Sequence, residues 1–261
     1  MLKLTTENYF SPQAQMDYMS VSQFKEFDKC QYRALADLKG EYERPLTTAL
    51  LVGSYVDAWF EGTLEEFKIL HPELYTRGGE LKSEYRKANE IIERVARDEM
   101  FMKYMSGQKQ VIMTGEIDGI PIKIKVDSLC DNKIVDLKVV KDFAPIYVPG
   151  QGRLSFVEAW GYDLQAAIYQ EIVRQNSGEK LPFYIAAATK EPTTDIAIIE
   201  IPQELMDYEL ERFSGEAMYF DGIKKGLFEA ERCEKCDHCK NTKILTEVMS
   251  LEDLNYECSS N

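Results

Sequence analysis

Three charged side chains near the middle of the chain have the types and spacing of a divalent-metal site. Asp136 lies in the apolar segment 134–137, where a charged carboxylate is costly unless it is paired or binds a metal. Lys138 comes two residues later and shares its strand face, and Asp127 ends the preceding segment. Mg²⁺ and Mn²⁺ prefer carboxylate oxygens, so the group predicts a metal that activates water for attack on a phosphoryl group, with the lysine orienting the nucleophile. The alternative is an ion pair on the surface of a strand.

The elements that must position these residues are three predicted strands in an antiparallel meander. They cover residues 110–117, 120–129 and 133–140. Asp118-Gly119 forms the first turn, and the second strand alternates, with apolar residues expected on one face and its lysines and Asp127 on the other. Asp127 and Asp136 then meet across one edge of the sheet. Glu116, close to the hairpin, is a further candidate metal ligand.

The flanking segments predict helices and two further strands. Helices are expected at residues 20–38, 45–60, 81–105, 156–175 and 203–229, and strands at residues 182–190 and 195–201. Asp57 falls in an apolar helical run, where a buried acid needs a partner and an exposed position is the alternative. Gln165 and Tyr169 share one helix face, a pattern that is also typical of a core stripe. Residues 142–155, rich in proline and glycine, predict a loop that can grip a substrate.

Three cysteines near the end of the sequence have a spacing typical of a metal or cluster site. Cys233, Cys236 and Cys239 follow a C-x2-C-x2-C pattern, which lets three thiolates wrap one metal ion or cluster. This run is typical of iron–sulfur ligation, whereas zinc sites more often use separated pairs, although His238 can serve as a zinc ligand. The candidates for a fourth ligand are Cys30, Cys130 and Cys258. Free thiols in a disordered tail are the alternative.

Length and composition fit one large domain or one domain with appendages. The chain has 261 residues, of which 44% are hydrophobic and 29% charged, ample for a sizeable core. It has no run of about 18 apolar residues, and its first segment lacks an apolar signal region, so we expect a cytoplasmic protein with no membrane partner. In a reducing compartment, the six cysteines favour metal ligation over disulfides.

The net charge of −14 counts against broad, nonspecific binding of nucleic acid, which relies on a basic surface. A nuclease remains compatible with this charge, because an acidic metal site and a local basic groove can coexist with an acidic exterior. The candidate groove residues are the central lysines Lys123, Lys125, Lys133, Lys138 and Lys141.

The motifs occur in an order that resembles a known nuclease family. Asp127, Asp136-Leu137-Lys138 and Gln165-Ala-Ala-Ile-Tyr169 are similar to the motifs of the RecB-family branch of PD-(D/E)XK nucleases, and to its phage-encoded, RecE-like (exodeoxyribonuclease VIII-like) group. The resemblance covers residues 20–240. It implies an α/β (α+β) fold with a restriction-endonuclease-like core at residues 106–230, in which helices flank a mixed central sheet. A helical region at residues 1–105 packs on this core, and a cysteine-containing segment follows at residues 231–261.

The resemblance also implies an activity and a role for each residue. It implies a metal-dependent DNA exonuclease in phage-type recombination or repair, which acts on linear duplex or single-strand ends and has a single-strand annealing protein as a partner. In that family the acids bind Mg²⁺ or Mn²⁺, the lysine is catalytic, and the residues matching Gln165 and Tyr169 help position DNA or the site. Members often carry a histidine ligand four residues after a glycine, and Asp57 follows Gly53 at that spacing.

The cysteines resemble those of some relatives, the AddB-type helicase-nucleases and CRISPR adaptation nucleases. There, one cysteine before the core and three after it hold a [4Fe–4S] cluster, and Cys30 with Cys233, Cys236 and Cys239 is similar to that arrangement. Such a cluster staples distant chain ends together. Zn²⁺ is the alternative metal. The alternative functions are a noncatalytic iron–sulfur or zinc protein that binds a partner or DNA ends, and a restriction-type endonuclease.

Overall fold

A five-stranded mixed sheet forms the centre of the described part of the chain. The computed structural model describes residues 1–246, 248, 250 and 251. The strands are β1 (Gln108–Ile117), β2 (Ile120–Cys130), β3 (Lys133–Val140), β4 (Ile146–Val148), β5 (Gly152–Leu154), β6 (Phe183–Thr189) and β7 (Ile196–Glu200). The sheet has the order β1-β2-β3-β6-β7, and β4 and β5 form a separate hairpin. Strands β3 and β6 are parallel and the other neighbours are antiparallel, so the expected mixed sheet is confirmed.

Helices flank this sheet on both faces. They are α1 (Pro12–Asp17), α2 (Val21–Lys29), α3 (Gln31–Leu38), α4 (Thr48–Glu61), α5 (Leu64–Leu70), α6 (Arg86–Ala96), α7 (Glu99–Tyr104), α8 (Phe156–Ala159), α9 (Tyr162–Ser177), α10 (Gln203–Lys224) and α11 (Asp237–Asn241). Short 3₁₀ turns lie at Pro72–Leu74 and Ser83–Tyr85. No helix in this part of the chain has the length and apolarity needed to cross a membrane.

Two hydrophobic cores hold the helices against the sheet. On one face, α2, α9 and α10 bury side chains such as Phe24, Ile168 and Phe213 against the strands. On the other face, α4, α6 and α7 bury side chains such as Val56 and Ile91. Alternate residues of β3 enter the two cores, as expected for a strand buried on both sides. An aspartate in this strand is therefore surrounded by protein.

The N-terminal arm, residues 1–19, is fastened to the edge of β2 that β3 leaves free. The β2–β3 ladder covers only the end of β2, from Ser128 to Cys130. Further back, the Met19 N–H donates to the Pro121 carbonyl at 2.8 Å, and the Lys123 N–H donates to the Met19 carbonyl at 3.0 Å. These bonds satisfy backbone groups of β2 that would otherwise lack partners at a sheet edge. The arm thus reaches the place where β2 and β3 separate.

Three predicted helices are interrupted, so these predictions were wrong in detail. The helix at 20–38 breaks at Cys30, where φ is −167° and ψ 104°. The helix at 81–105 stops after Ala96 and restarts behind Asp98, whose side chain caps the next helix. The helix at 156–175 breaks before Gly161, whose φ of 60° favours glycine. Each break keeps both halves on the same core, so the apolar periodicity continues across it.

The segment at 142–155 also differs from the prediction. It was expected to be a loop, and it contains the β4–β5 hairpin, with Tyr147 paired with Arg153. Strands of three residues are too short to show an alternating pattern in the sequence. The hairpin connects β3 to α8, immediately after the segment that carries Lys138.

Candidate active site

A distortion in β2 turns Asp127 towards β3. Val126 and Leu129 both pack in the core beneath α9, so the alternation along the strand breaks between them. On the neighbouring strand, Gln110 has a φ of 53° at this level and donates from Nε2 to Asp127 Oδ1 at 3.4 Å. The Leu137 N–H donates to Asp127 Oδ2 at 2.9 Å. The Asp127 carboxylate thus replaces a backbone acceptor where β2 and β3 separate. Asp127 also departs from the alternation predicted for β2.

Asp136 is buried at the point where the strands open. Its side chain is 3% exposed, and Gln165 Nε2 on α9 donates to its Oδ1 at 2.6 Å. The Lys138 ammonium forms an ion pair with Oδ2 and lies 4.9 Å from the centre of the Tyr162 ring. A carboxylate oxygen has two lone pairs, so Oδ2 can accept a further interaction beside this ammonium.

The charge of Lys138 is maintained by the carboxylates around it. Burial acts to lower the pKa of Lys138, but Asp136 and Asp127 outweigh it and raise the pKa above its usual value. The side chain is 17% exposed, so its ammonium can still be approached from the solvent side. The lysine is therefore a fixed positive charge beside the acids.

Asp57 brings a third carboxylate from α4. The pKa of Asp57 is raised to about 7, mainly by burial, while Lys138 acts to lower it and Asp136 and Glu61 act to raise it. Burial, together with the charges of Asp136 and Asp57, also raises the pKa of Asp127 well above its usual value. Burial and the neighbouring carboxylates thus disfavour the ionised forms of Asp57 and Asp127.

The chemistry of these residues suits a hard divalent cation. Asp57, Asp127 and Asp136 offer carboxylate oxygens, which Mg²⁺ and Mn²⁺ prefer. Burial is the main cause of the raised pKa values of Asp57 and Asp127, and the charge of Asp136 adds to it. A bound cation would stabilise the ionised carboxylates. The three residues that would hold it come from α4, β2 and β3.

Glu116 is not part of this group, which corrects its assignment as a candidate ligand. It lies six residues beyond Gln110 along β1, paired with Pro121 at the hairpin end. That spacing corresponds to about 20 Å along a strand. The backbone N–H and C=O of Glu116 bind the Gln175 side chain at 3.0 and 2.8 Å, and its own side chain is exposed. The prediction selected Glu116 because it is close to the β1–β2 turn, but this turn lies at the opposite end of the strands from Asp127.

Gln165 and Tyr169 both contact the strands that carry the acids. Gln165 binds Asp136 as described, and the Tyr169 hydroxyl donates to the Lys125 carbonyl of β2 at 3.3 Å. Burial raises the pKa of Tyr169 well above its usual value, so the hydroxyl stays protonated and acts as a donor. One helix face therefore braces both strands of the opening.

Four of the cysteines converge away from the acids. Cys30, at the junction of α2 and α3, lies 3.6 Å from Cys239 and 3.8 Å from Cys236, measured between Sγ atoms. Cys233 lies 4.0 Å from Cys239, and all four sulfurs are within 4.8 Å of one another. The break that interrupts the predicted helix therefore places Cys30 as the fourth member of the group.

The other candidates for the fourth ligand lie elsewhere. His238 packs its ring against Tyr32 and Tyr42, with ring centres at 5.1 and 5.3 Å, and does not join the sulfurs. The Cys130 Sγ lies 3.8 Å from the Tyr104 carbonyl. Cys258 is outside the described residues.

Comparison with known proteins identifies the family. A family model described as "PDDEXK-like domain of unknown function (DUF3799)" matches residues 20–242. The chain belongs to this PDDEXK-like family. Its fold is similar to a crystal structure from Eubacterium rectale named "Putative exonuclease", with 48% identity, a TM-score of 0.94, and coverage of 97% of this chain and 98% of that chain. No curated protein matches. The resemblance to PD-(D/E)XK nucleases is thus confirmed.

Tyr9 and Lys25 of this PDDEXK-like protein also lie near the site, and no sequence pattern identified them. Tyr9 of the arm is buried, and Asp127 adds to the effect of burial in raising its pKa. Lys25 of α2 donates to the Trp160 carbonyl at 2.7 Å, and burial and then Lys138 lower its pKa to about 8. Both residues line a pocket of about 210 Å³ beside Gln165.

The lysines predicted to form one basic groove lie in different environments. Lys123 also lines the pocket, but it is 1% exposed and its ammonium donates to the Tyr9 carbonyl at 2.6 Å. Lys133 binds Asn132 and stacks on Tyr104 at the other end of β3. Lys125 lines the pocket of the PDDEXK-like site, and Lys138 lies among its acids.

Proposed function

We propose that this protein is a Mg²⁺- or Mn²⁺-dependent deoxyribonuclease that hydrolyses phosphodiester bonds at DNA ends. The observation that carries the proposal is the Asp136–Lys138 ion pair at the opening between β2 and β3, where the Leu137 N–H holds Asp127. The charges of Asp136 and Lys138 also act on Asp57 and Asp127. A buried cluster of like charges is unfavourable without a cation, so its presence favours a binding role. The family and its 48%-identical neighbour support the same reaction class.

Each residue contributes a defined part of the hydrolysis. Asp57, Asp127 and Asp136 would hold the metal, which when bound polarises a phosphoryl oxygen and acidifies water. Lys138 lies against Asp136, and its ammonium would position the attacking water and offset charge on the phosphoryl group. Gln165 is a positioning residue, because its amide fixes Asp136 Oδ1. Tyr169 positions β2 through the Lys125 carbonyl.

The pocket beside the acids supports a DNA strand end as the substrate. Lys25 and Lys125 lie in its wall together with Phe10, whose side chain is 68% exposed. The Lys125 ammonium lies 5.5 Å from the centre of the Phe10 ring. Lysines that contact phosphates, combined with an exposed aromatic ring on which a base can stack, are typical of single-strand binding. The neighbour's name, "Putative exonuclease", agrees with this mode.

A place in DNA metabolism follows from the same proposal. The order of the motifs is similar to that of RecE-like phage exonucleases, which supports a role in recombination or repair. In that role the product strand would be passed to a single-strand annealing protein.

The test is degradation of end-labelled linear DNA with Mg²⁺, with Mn²⁺ and with a chelator. We expect metal-dependent loss of linear duplex or single-stranded DNA, and little loss of closed circular DNA. Lys138→Met should lower the rate by about 100-fold or more. Lys141→Met is the matched control, because Lys141 is 93% exposed and paired with Asp142. It should retain the wild-type rate.

Three results would argue against the proposal. Undiminished activity in a folded Lys138→Met protein would remove the mechanism. Rapid cleavage of closed circles would favour an endonuclease of restriction type. Binding of DNA ends without any metal-dependent degradation would support the noncatalytic alternative.

A further inference from the structure

We propose that Cys30, Cys233, Cys236 and Cys239 bind a single tetrahedral Zn²⁺, and not the [4Fe–4S] cluster that the family resemblance implies. The assignment is independent of the proposed nuclease activity, because the four cysteines are separate from the acidic group. It rests on the spacing of the sulfurs, on their hydrogen bonds and on the packing around them.

The spacing of the sulfurs matches one shared metal ion. A Zn–S bond is about 2.3 Å, which places the corners of a regular tetrahedron about 3.8 Å apart. The pairs Cys30–Cys239, Cys30–Cys236 and Cys233–Cys239 have Sγ separations of 3.6, 3.8 and 4.0 Å. One ion at the centre can therefore reach all four sulfurs without a change in the backbone.

The same spacing is too small for a cubane cluster. In a [4Fe–4S] cluster each thiolate binds a different iron, so the cluster holds any two thiolate sulfurs roughly 6 Å apart. Here every pair of sulfurs lies within 4.8 Å. Room for the four irons and four sulfides would require every cysteine to move outward.

The packing around the cysteines opposes such a movement. Cys239 is fully buried, and Cys30 is held at the helix junction, where its N–H donates to the Glu26 carbonyl at 3.0 Å. His238, next to Cys239 in the chain, packs its ring against Tyr32 and Tyr42. Outward movement of Cys30 and Cys239 would therefore disturb packed residues, whereas Cys233 and Cys236 are only partly buried.

Hydrogen bonds to sulfur favour the thiolate form that zinc requires. The Cys236 N–H donates to Cys233 Sγ at 3.3 Å, and the Cys239 N–H donates to Cys236 Sγ at 3.4 Å. Hydrogen bonds to the charged form of a ligand stabilise it. Arg232 also donates to the Cys239 carbonyl at 2.5 Å, which brings a positive charge to a site that is negative overall when four thiolates surround Zn²⁺.

A four-cysteine zinc site has no open position, so its role is structural. It joins the α2–α3 junction to residues more than 200 positions later, since Cys30 and Cys239 are 209 residues apart in sequence. Zn²⁺ has no redox chemistry, so the site neither stores nor transfers electrons. Stability of the nuclease core would then depend on zinc supply and not on iron–sulfur assembly.

The decisive measurement is metal and sulfide analysis of the full chain purified without oxygen, because air can destroy a cluster and let zinc replace it. We expect one zinc per chain and no acid-labile sulfide. X-ray absorption at the zinc edge should show four sulfur neighbours at about 2.3 Å and no second metal. When the apoprotein is offered Zn²⁺ in competition with iron and sulfide, it should take up zinc. Iron and labile sulfide in equal amounts, with broad brown absorption, would overturn the proposal.

A pair of variants tests which thiols bind the metal. Cys30→Ser should weaken zinc binding by at least about 100-fold in competition with a chromogenic chelator. Cys130→Ser is the matched control, because Cys130 contacts Tyr104 and not the four sulfurs, and it should bind zinc as the wild type does. Wild-type zinc affinity in Cys30→Ser would contradict the four-thiolate site. If Cys30→Ser does not fold, the absorption spectrum of the wild-type protein still decides between one zinc ion and a cluster.

Discussion

At the scale of single residues, the buried carboxylate of Asp136 depends on two neighbouring side chains. Its side chain is 3% exposed, and its two oxygens have different partners, Gln165 at Oδ1 and the Lys138 ammonium at Oδ2. Removing one partner of a buried charge is costly, because the remaining charge stays uncompensated. Changes at Gln165 and at Lys138 therefore act through the same carboxylate, and their effects should not be additive.

Gln165→Leu should weaken metal binding more than it changes the maximal rate. The variant loses the 2.6 Å hydrogen bond that orients Asp136. Loss of such a supporting contact typically costs about 10- to 100-fold in metal affinity or activity. The measurement is the Mn²⁺ concentration for half-maximal DNA degradation, together with calorimetric titration of Mn²⁺.

The matched control for this change is Gln175→Leu, on the same helix. Gln175 binds the backbone of Glu116 at the far end of the sheet, so it should alter stability and leave the Mn²⁺ dependence unchanged. Equal metal dependence in wild type and Gln165→Leu would show that the glutamine is only a packing residue.

The sequence predicted the residues on strands and missed those brought by tertiary packing. Asp127, Asp136 and Lys138 were identified because a charge in an apolar strand is conspicuous. Tyr9 reaches the site from an arm with no periodic pattern, and its contact with Lys123 spans 114 residues. Lys25 belongs to a helix whose apolar face gave no reason to single out a lysine. Neither position has a local signal, because only the folded chain brings them together.

At the scale of elements, the opening between β2 and β3 depends on backbone packing at the end of β2. Gly107 precedes β1, and a Cβ there would lie 2.5 Å from the Leu129 carbonyl carbon and oxygen. These are backbone atoms of a paired strand, so they cannot move aside cheaply. Gly53 on α4 is different, since a Cβ there would meet nothing within 4 Å.

Gly107→Ala and Gly53→Ala should therefore change stability in opposite directions. Overpacking against the backbone at Gly107 should lower the free energy of unfolding by about 2 kcal/mol. Alanine in the helix interior at Gly53 should raise it by about 0.5–1 kcal/mol. Urea denaturation followed by circular dichroism measures both. A stable Gly107→Ala protein would show that the end of β2 is looser than its contacts indicate.

The predicted strands and helices agree with the structure where the hydrophobic pattern of the sequence follows the period of the folded element. The three strands of the meander were placed within a few residues, because alternation continued along most of their length. The helix break at Cys30 was missed, because Phe24 and Phe27 before it and Ala34 after it enter one core, so the apolar period continues. Alternation also hid the distortion at Asp127, whose cause is the conformation of Gln110 on the neighbouring strand.

At the scale of the whole molecule, two buried lysines hold the N-terminal arm in place. Lys123 donates to the Tyr9 carbonyl at 2.6 Å. Lys224 of α10 donates to the Tyr18 carbonyl at 2.6 Å and to Gln23 Oε1 at 3.1 Å. Burial lowers the pKa of Lys224 from 10.5 to about 8. The arm that carries Tyr9 to the site is thus fixed by groups that titrate in mildly alkaline solution.

The stability of the wild type relative to Lys224→Met should rise with pH. Between pH 8 and 10.5 the unfolded chain binds more protons at Lys224 than the folded chain does, so the cost of burying the charge is relieved as pH rises through this window. We expect the difference in unfolding free energy to move in favour of the wild type by about 2 kcal/mol from pH 7 to pH 10. Denaturation at several pH values measures it.

The neighbouring Lys225→Met variant serves as the control for this titration. Lys225 is 55% exposed and the variant keeps the buried Lys224, so its stability should still rise with pH through the same window. Parallel curves for Lys224→Met and the wild type would mean that Lys224 keeps its ordinary pKa in the folded protein.

Removing the metal from the four cysteines should destabilise the whole chain. The site links the α2–α3 junction, which packs in the same core as α9 and α10, to the segment after α10. A zinc-selective chelator should lower the midpoint of thermal unfolding by at least about 5 °C. Cys130→Ser should respond as the wild type does, whereas an unchanged midpoint in the wild type would show that the junction is stable without metal.

The β4–β5 hairpin lies between the segments that carry the candidate site residues and contributes no proposed metal ligand itself. It is inserted in the crossover between the parallel strands β3 and β6, after Lys138 and before the helix that carries Gln165. None of the proposed metal ligands belongs to it, and Tyr147 near its tip is 69% exposed. Under the proposed nuclease function, a change in the length or charge of this hairpin would alter the preference for DNA structure and leave the residues that hydrolyse the bond in place, so that selectivity and chemistry could evolve on separate segments.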